Sequence, residues 1–137
     1  MNKQLKKIYL AIPYTGMVES SFEQANKASV LILNKGLNVF SPITHSHPLT
    51  LLEGYTVPHT WDYWQHIDYQ FVDWCDEIWV LIPKEGIEYL KNSTGVKAEI
   101  KYGLKHNKHI KFIQIIADTI YFNGKVKCLD IINKSDD

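Results

Sequence analysis

The sequence predicts an α/β fold: a Rossmann-like, three-layer α/β/α domain on a mainly parallel sheet of about five strands, with a C-terminal hairpin. Three observations carry that expectation. Short apolar runs at 8–12, 37–40, 77–82 and 109–116 are separated by helix-patterned segments, and strands alternating with helices imply a parallel sheet. The run EIWVLI (77–82) is apolar without alternation after its first residue, as in a strand covered on both faces. A chain of 137 residues with 45% hydrophobic composition is long enough to close one core, so residues 1–137 are read as a single domain.

Each element has a local signature. IYLAI (8–12) is a strand stopped by Pro13, and residues 14–16 make a turn. Ser20 and Glu23 have capping-box spacing, so a helix is expected to start there. Phe22, Ala25, Ser29, Ile32 and Leu33 form its inner face, and Gly36 ends it. A strand follows at 37–40. Residues 41–60, with three prolines and no clear period, read as a long loop. A helix over 61–75, the strand 77–82, a helix over 95–106 and the strand 109–116 come next. Asn123-Gly124 is a strong tight-turn signal, so a hairpin is expected over 121–127. Ligands of such sheets bind beyond the carboxyl ends of the strands, where the loops 13–16, 41–60 and 83–95 should converge.

Composition narrows the function. Fifteen basic and fifteen acidic residues cancel, which argues against nucleic acid as a partner. All fifteen basic residues are lysines, so no guanidinium fork is available to grip a phosphate. Cys75 and Cys128 form no CxxC pair, in keeping with a reducing compartment. The apolar run before Pro13 is too short for a signal peptide and no later stretch could span a bilayer, so the expectation is a cytoplasmic protein without a membrane partner.

Two carboxylates stand out. Trp61, Trp64, Asp68, Phe71 and Cys75 are spaced 3, 4, 3 and 4, one helical stripe with an acid at its centre. A buried carboxylate needs a partner or a raised pKa, so Asp68 is either a hydrogen-bonded core residue or part of a site. In the helix after Gly95, with Val96, Ile100, Gly103 and Leu104 inside, Glu99 edges the buried face. Near a helix N-terminus its ionised form is favoured. Taken alone, each acid is more often structural than catalytic. Both helices, however, should flank the strand 77–82, and paired carboxylates beside a pocket are the equipment for breaking a glycosidic bond.

The motifs Pro13-Tyr14, SPITHSHP (41–48), the tryptophan pair Trp61 and Trp64, and S-x-G-V-x-x-E from Ser93 to Glu99 are together similar to those of the nucleoside 2-deoxyribosyltransferase superfamily. The similarity runs over residues 8–113 and is greatest to a small bacterial and phage branch. The resemblance implies that Glu99 is the nucleophile, that Tyr9 orients it and that Asp68 is the acid or leaving-group partner. Asp76, eight residues after Asp68, is read as a capping or structural residue. Deoxyribosyltransferases carry an aspartate six residues before the nucleophile. This chain has Ser93 there, as do the deoxynucleoside 5′-monophosphate N-glycosidases, which use it on the 5′-phosphate. The implied activity is cleavage of the N-glycosidic bond of a nucleoside or nucleoside 5′-monophosphate through a glycosyl-Glu99 intermediate, by hydrolysis or base exchange. A non-catalytic module that binds nucleotide derivatives is the alternative.

Substrate contacts are expected from Pro13, Tyr14, Ser41, His45, Trp61, Trp64, Ser93, Thr94 and Gly95. His45 and His47 have H-x-H spacing, but no cysteine or carboxylate cluster completes a metal site, so they are read as polar pocket lining. No metal or cofactor is expected. Superfamily members commonly complete each pocket from a neighbouring subunit. That habit and the aromatic residues between 55 and 69 imply a homodimer or homotetramer with the tryptophan helix at or near the interface.

Overall fold

The computed structural model describes residues 4–132. Its elements run β1 (Lys7–Ala11), α1 (Val18–Asn34), β2 (Asn38–Phe40), α2 (Pro42–Thr50), α3 (Trp61–Trp74), β3 (Glu77–Leu81), α4 (Glu88–Lys91), α5 (Thr94–Lys105), β4 (His109–Ile116), β5 (Thr119–Phe122) and α6 (Cys128–Ile131). The strands form one sheet in the order β2-β1-β3-β4-β5. The pairs among β2, β1, β3 and β4 are parallel, and β5 closes the edge antiparallel to β4.

Period-two alternation along β1 divides the core into two layers. Ile8, Leu10 and Ile12 face Ala25, Ala28 and Ile32 of α1, whereas Tyr9 and Ala11 face Val72 of α3 and Val96 and Ile100 of α5. β3 alternates likewise: Trp79 and Leu81 lie on the α1 side, Ile78 and Val80 on the α3–α5 side. Hence Tyr9, Asp68 and Glu99 share one face of the sheet. Gly103 brings α5 onto that face, since a Cβ there would come within 2.4 Å of Ile78 Cδ1. Glu99 sits one helical turn before this close approach.

At the opposite end of the sheet the charged groups hold the strands together. Glu77 accepts from Lys6 Nζ and Trp79 Nε1, each at 2.9 Å, and pairs with Lys111 Nζ at 3.2 Å. Burial raises its pKa, but these bonds outweigh it and hold the carboxyl at about 2. The Asp76 carboxylate accepts from the Lys7 backbone N–H at 2.8 Å, the structural part expected of it.

Several local expectations are corrected. α1 starts at Val18 with no side-chain cap, and the Ser20 hydroxyl donates instead to Glu85. Gln24 joins that contact, so the loop after β3 is tied to α1 and the capping box does not form. Leu33 and Leu104, expected inside, are exposed, while Ala28 is buried. Residues 41–60 are not all loop: Ser41 accepts from Thr44 N–H, Pro42 fills the first turn, and α2 follows. The short α4 lies inside the expected loop 83–95. The hairpin turns at Ala117-Asp118, both at positive φ, while the Asn123 carboxamide oxygen accepts from Lys125 N–H and Val126 N–H. No described helix is long and apolar enough to cross a membrane.

Candidate active site

A cleft of about 430 Å³ opens at the carboxyl end of β1, large enough for a nucleoside-sized molecule. The three expected loops converge on it. Asp68 and Glu99 both line it, with Trp61, Trp64, Tyr14, Ser93, Thr94 and Gly95. α3 supplies Asp68 from the centre of its stripe, and α5 supplies Glu99 from its second turn.

Glu99 is 5% exposed and Asp68 8%. Beneath them Tyr9 is fully buried, and its hydroxyl donates to Glu99 Oε2. The expectation that the helix dipole keeps Glu99 ionised gives way here. Burial first, then the neighbouring Asp68 charge, pushes the Glu99 carboxyl well above the ordinary range, against the opposing Tyr9 hydrogen bond. Burial also raises Asp68 to about 7, again against Tyr9. The phenol of Tyr9 is itself held protonated, by burial and then by Glu99 and Asp68. Buried together and repelling each other's charge, the two carboxyls titrate as a pair, both held above the ordinary carboxylate range.

The aromatic wall is fixed by specific contacts. Trp64 Nε1 donates to the Pro58 carbonyl at 3.0 Å, and Trp61 meets Tyr69 edge-on at 6.0 Å. A Cβ on Gly95 would lie 3.5 Å from the Trp61 ring, an ordinary van der Waals contact, so the start of α5 packs beside the indole. Ser93 is the N-cap of α5, its Oγ accepting from Val96 N–H at 3.2 Å. The hydroxyl proton of Ser93 is not used in that bond.

Other expected contacts stand outside the lining. Pro13 is buried and does not line the cleft, its carbonyl accepting from the Ser21 hydroxyl. Ser41 is committed to capping α2. His45 is exposed against Phe40 and within 3.0 Å of Ser46 Oγ. His47 is the buried histidine of the motif and lines the cleft. Tyr89 and Asn92, from α4 and its C-cap, also line it and were not anticipated. Their signal was hidden, because four residues of helix inside a loop leave no period to read. Among the described residues no group of three histidine, cysteine or carboxylate side chains is placed to hold a metal ion.

An α/β domain with a parallel sheet and a carboxylate-bearing cleft at its strand ends is the class that fold and site define. The chain belongs to the family described as a domain of unknown function, DUF1937, which it matches over residues 6–114. No curated protein matches it. Among solved structures it is similar to the 2-deoxyribosyltransferase of the psychrotolerant bacterium Bacillus psychrosaccharolyticus, with a TM-score of 0.58 and 20% identity, covering 91% of this chain and 79% of that one. It is also similar to the 2-deoxyribosyltransferase of Leishmania mexicana, with a TM-score of 0.56 and 15% identity, covering 94% and 87%. At these identities the likeness establishes the fold, which is the one expected from the sequence.

Proposed function

We propose that this chain cleaves the N-glycosidic bond of a nucleoside or nucleoside 5′-monophosphate, as a glycosidase or a base-exchanging transferase. The observation that carries the reading is the buried Glu99–Asp68 pair facing one cleft, with Tyr9 donating to Glu99. Burying two acids side by side works against stability, and a module that only binds has no use for it. The fold shared with two 2-deoxyribosyltransferases supports the same reading.

In the proposed reaction the pair carries one proton. The cationic character growing at C1′ draws the negative charge to Glu99, against the burial that favours its protonated form in the resting pair, and leaves the proton on Asp68. A Glu99 oxygen forms a bond to C1′ as the C1′–N bond breaks, and Asp68 gives its proton to the departing base. The glycosyl ester is then opened at C1′ by water or by the nitrogen of an incoming base, whose proton returns to Asp68 as Glu99 leaves as the carboxylate. Trp61 and Trp64 stack on the base. Ser93, Thr94 and Gly95 hold the sugar end, and the free Ser93 proton serves a 5′ oxygen or phosphate.

We further propose a homodimer or homotetramer with the start of α3 at or near the interface. Tyr89 of the cleft is exposed, as are Tyr63, which precedes the cleft residue Trp64, and Leu51 and Leu52, which follow the cleft residue Thr50.

The experiment is incubation with nucleosides, their 5′-monophosphates and NAD, followed by chromatography for released base. Release by the wild-type chain that falls to background in Glu99→Gln is the expected result. Measurable binding with every compound left intact would replace the enzyme by the binding module.

A further inference from the structure

The cleft carries a second polar chain that the reaction above does not use. His47, on the cleft side of α2, is 4% exposed, and its Nδ1 lies 2.7 Å from the Tyr14 hydroxyl. Its Nε2 faces Glu19 of α1 at 3.6 Å, and the Phe22 ring lies against it with centroids 4.8 Å apart. Tyr14 and His47 both line the cleft.

A neutral imidazole has one N–H and one lone pair, and its neighbours decide which nitrogen carries which. A lone pair on Nε2 would point at the Glu19 carboxylate, so the proton belongs on Nε2 and Nδ1 accepts. The Tyr14 phenol keeps its proton, because burial first and then Glu19 and Tyr55 oppose its ionisation. That proton is therefore given to His47. What remains for the cleft is the oxygen's lone pairs.

We propose that Glu19, His47 and Tyr14 act as one specificity unit that makes the Tyr14 oxygen a hydrogen-bond acceptor, so that the substrate group seated against it is a donor. The donor is a sugar hydroxyl or an amino group of the base. A carbonyl or anionic oxygen in that place would meet lone pair with lone pair. A group that lacks the donor would leave the acceptor unpaired in a half-closed site, which is how such sites discriminate. Tyr14 contacts the substrate; His47 and Glu19 are positioning residues that act through it. The inference rests on the nucleoside reading of the cleft, but it is tested by binding, without turnover.

The test is calorimetric titration of the full-length Glu99→Gln chain at pH 8 with two matched pairs. One pair is a purine nucleoside with and without its 6-amino group. The other is a nucleoside with and without its 3′-hydroxyl. The expected result is about tenfold tighter binding of the donor-bearing member of one pair, and the pair that responds identifies the donor. Adding Tyr14→Phe or His47→Leu should bring that ratio to about one. His47→Asn keeps an acceptor near the place of Nδ1 and should retain it, which a merely structural role for His47 would not predict. A ratio of one in both pairs, a ratio that survives Tyr14→Phe, or no binding of any of the four compounds would overturn the inference. Base release by the wild-type chain is scored separately. Donor preference without release leaves this inference standing and removes the glycosidase; release without preference does the reverse.

Discussion

At the scale of single residues, the Glu99–Asp68 pair carries the proposed reaction and a cost in stability. Glu99→Gln should abolish base release, and Asp68→Asn should slow it by roughly 10²–10⁴-fold, the usual worth of a positioned general acid. Both variants should also change stability with a definite sign. The folded pKa values lie above the unfolded ones, so the native state binds more protons from about pH 4 upward, and stability falls as pH rises through about 7. Removing either acid relieves that cost. The unfolding free energy of the variant relative to wild type, followed by denaturant titration at each pH, should therefore climb between pH 5 and pH 8, reaching a gain of roughly 1–4 kcal/mol. A constant offset across that range would contradict the raised values. The rate has its own pH signature: the pair must lose one proton to act, so kcat/KM should rise with pH through about 7 and decline only at more alkaline pH. A rate that peaks near pH 5 would place the reaction elsewhere.

At the scale of elements, the legible parts were those with a strong period. The spacing of Trp61, Trp64, Asp68, Phe71 and Cys75 placed α3 within a residue of its observed end, and the Asp68 side chain points where the stripe aims it. α2 escaped because its prolines at 42 and 48 read as breakers, although Ser41 followed by proline is a helix start. The last turn was misplaced for an energetic reason. Asn123-Gly124 is the better turn sequence, yet pairing Ile115 with Ile120 buries Ile120 and sets Phe122 against Trp79. That packing outweighs the strain of positive φ at Ala117 and Asp118. Ser93 carries the prediction for this scale. Its Oγ caps α5, so Ser93→Ala should cost about 0.5–2 kcal/mol in any assay of stability. If its free proton also serves a 5′-phosphate, base release from monophosphates should drop by more than release from free nucleosides. Equal losses for the two substrate classes would leave Ser93 as a cap alone.

At the scale of the whole molecule, the α/β architecture and the convergence of three loops followed from strand–helix alternation alone. The charge state of the site did not. No sequence pattern reports that Tyr9, Asp68 and Glu99, 59 and 31 positions apart, are buried against one another, and burial is what reverses the expectation of an ionised Glu99. The choice of His47 over His45 for the cleft depended likewise on the helical turn of α2, which the sequence had concealed. Assembly is the prediction at this scale. Exposed apolar side chains beside the cleft should be covered by a second copy, so light scattering at micromolar concentration should return twice or four times 15.9 kDa. A clean monomer would remove the neighbouring subunit from the account.

The proposed reaction turns on a covalent bond between C1′ and Glu99, which acid-quenched mass spectrometry of the chain during turnover would trap. The expected result is a glycosyl adduct on the peptide that contains Glu99, absent from the Glu99→Gln chain. Base release with no adduct, undiminished in Glu99→Gln, would contradict it.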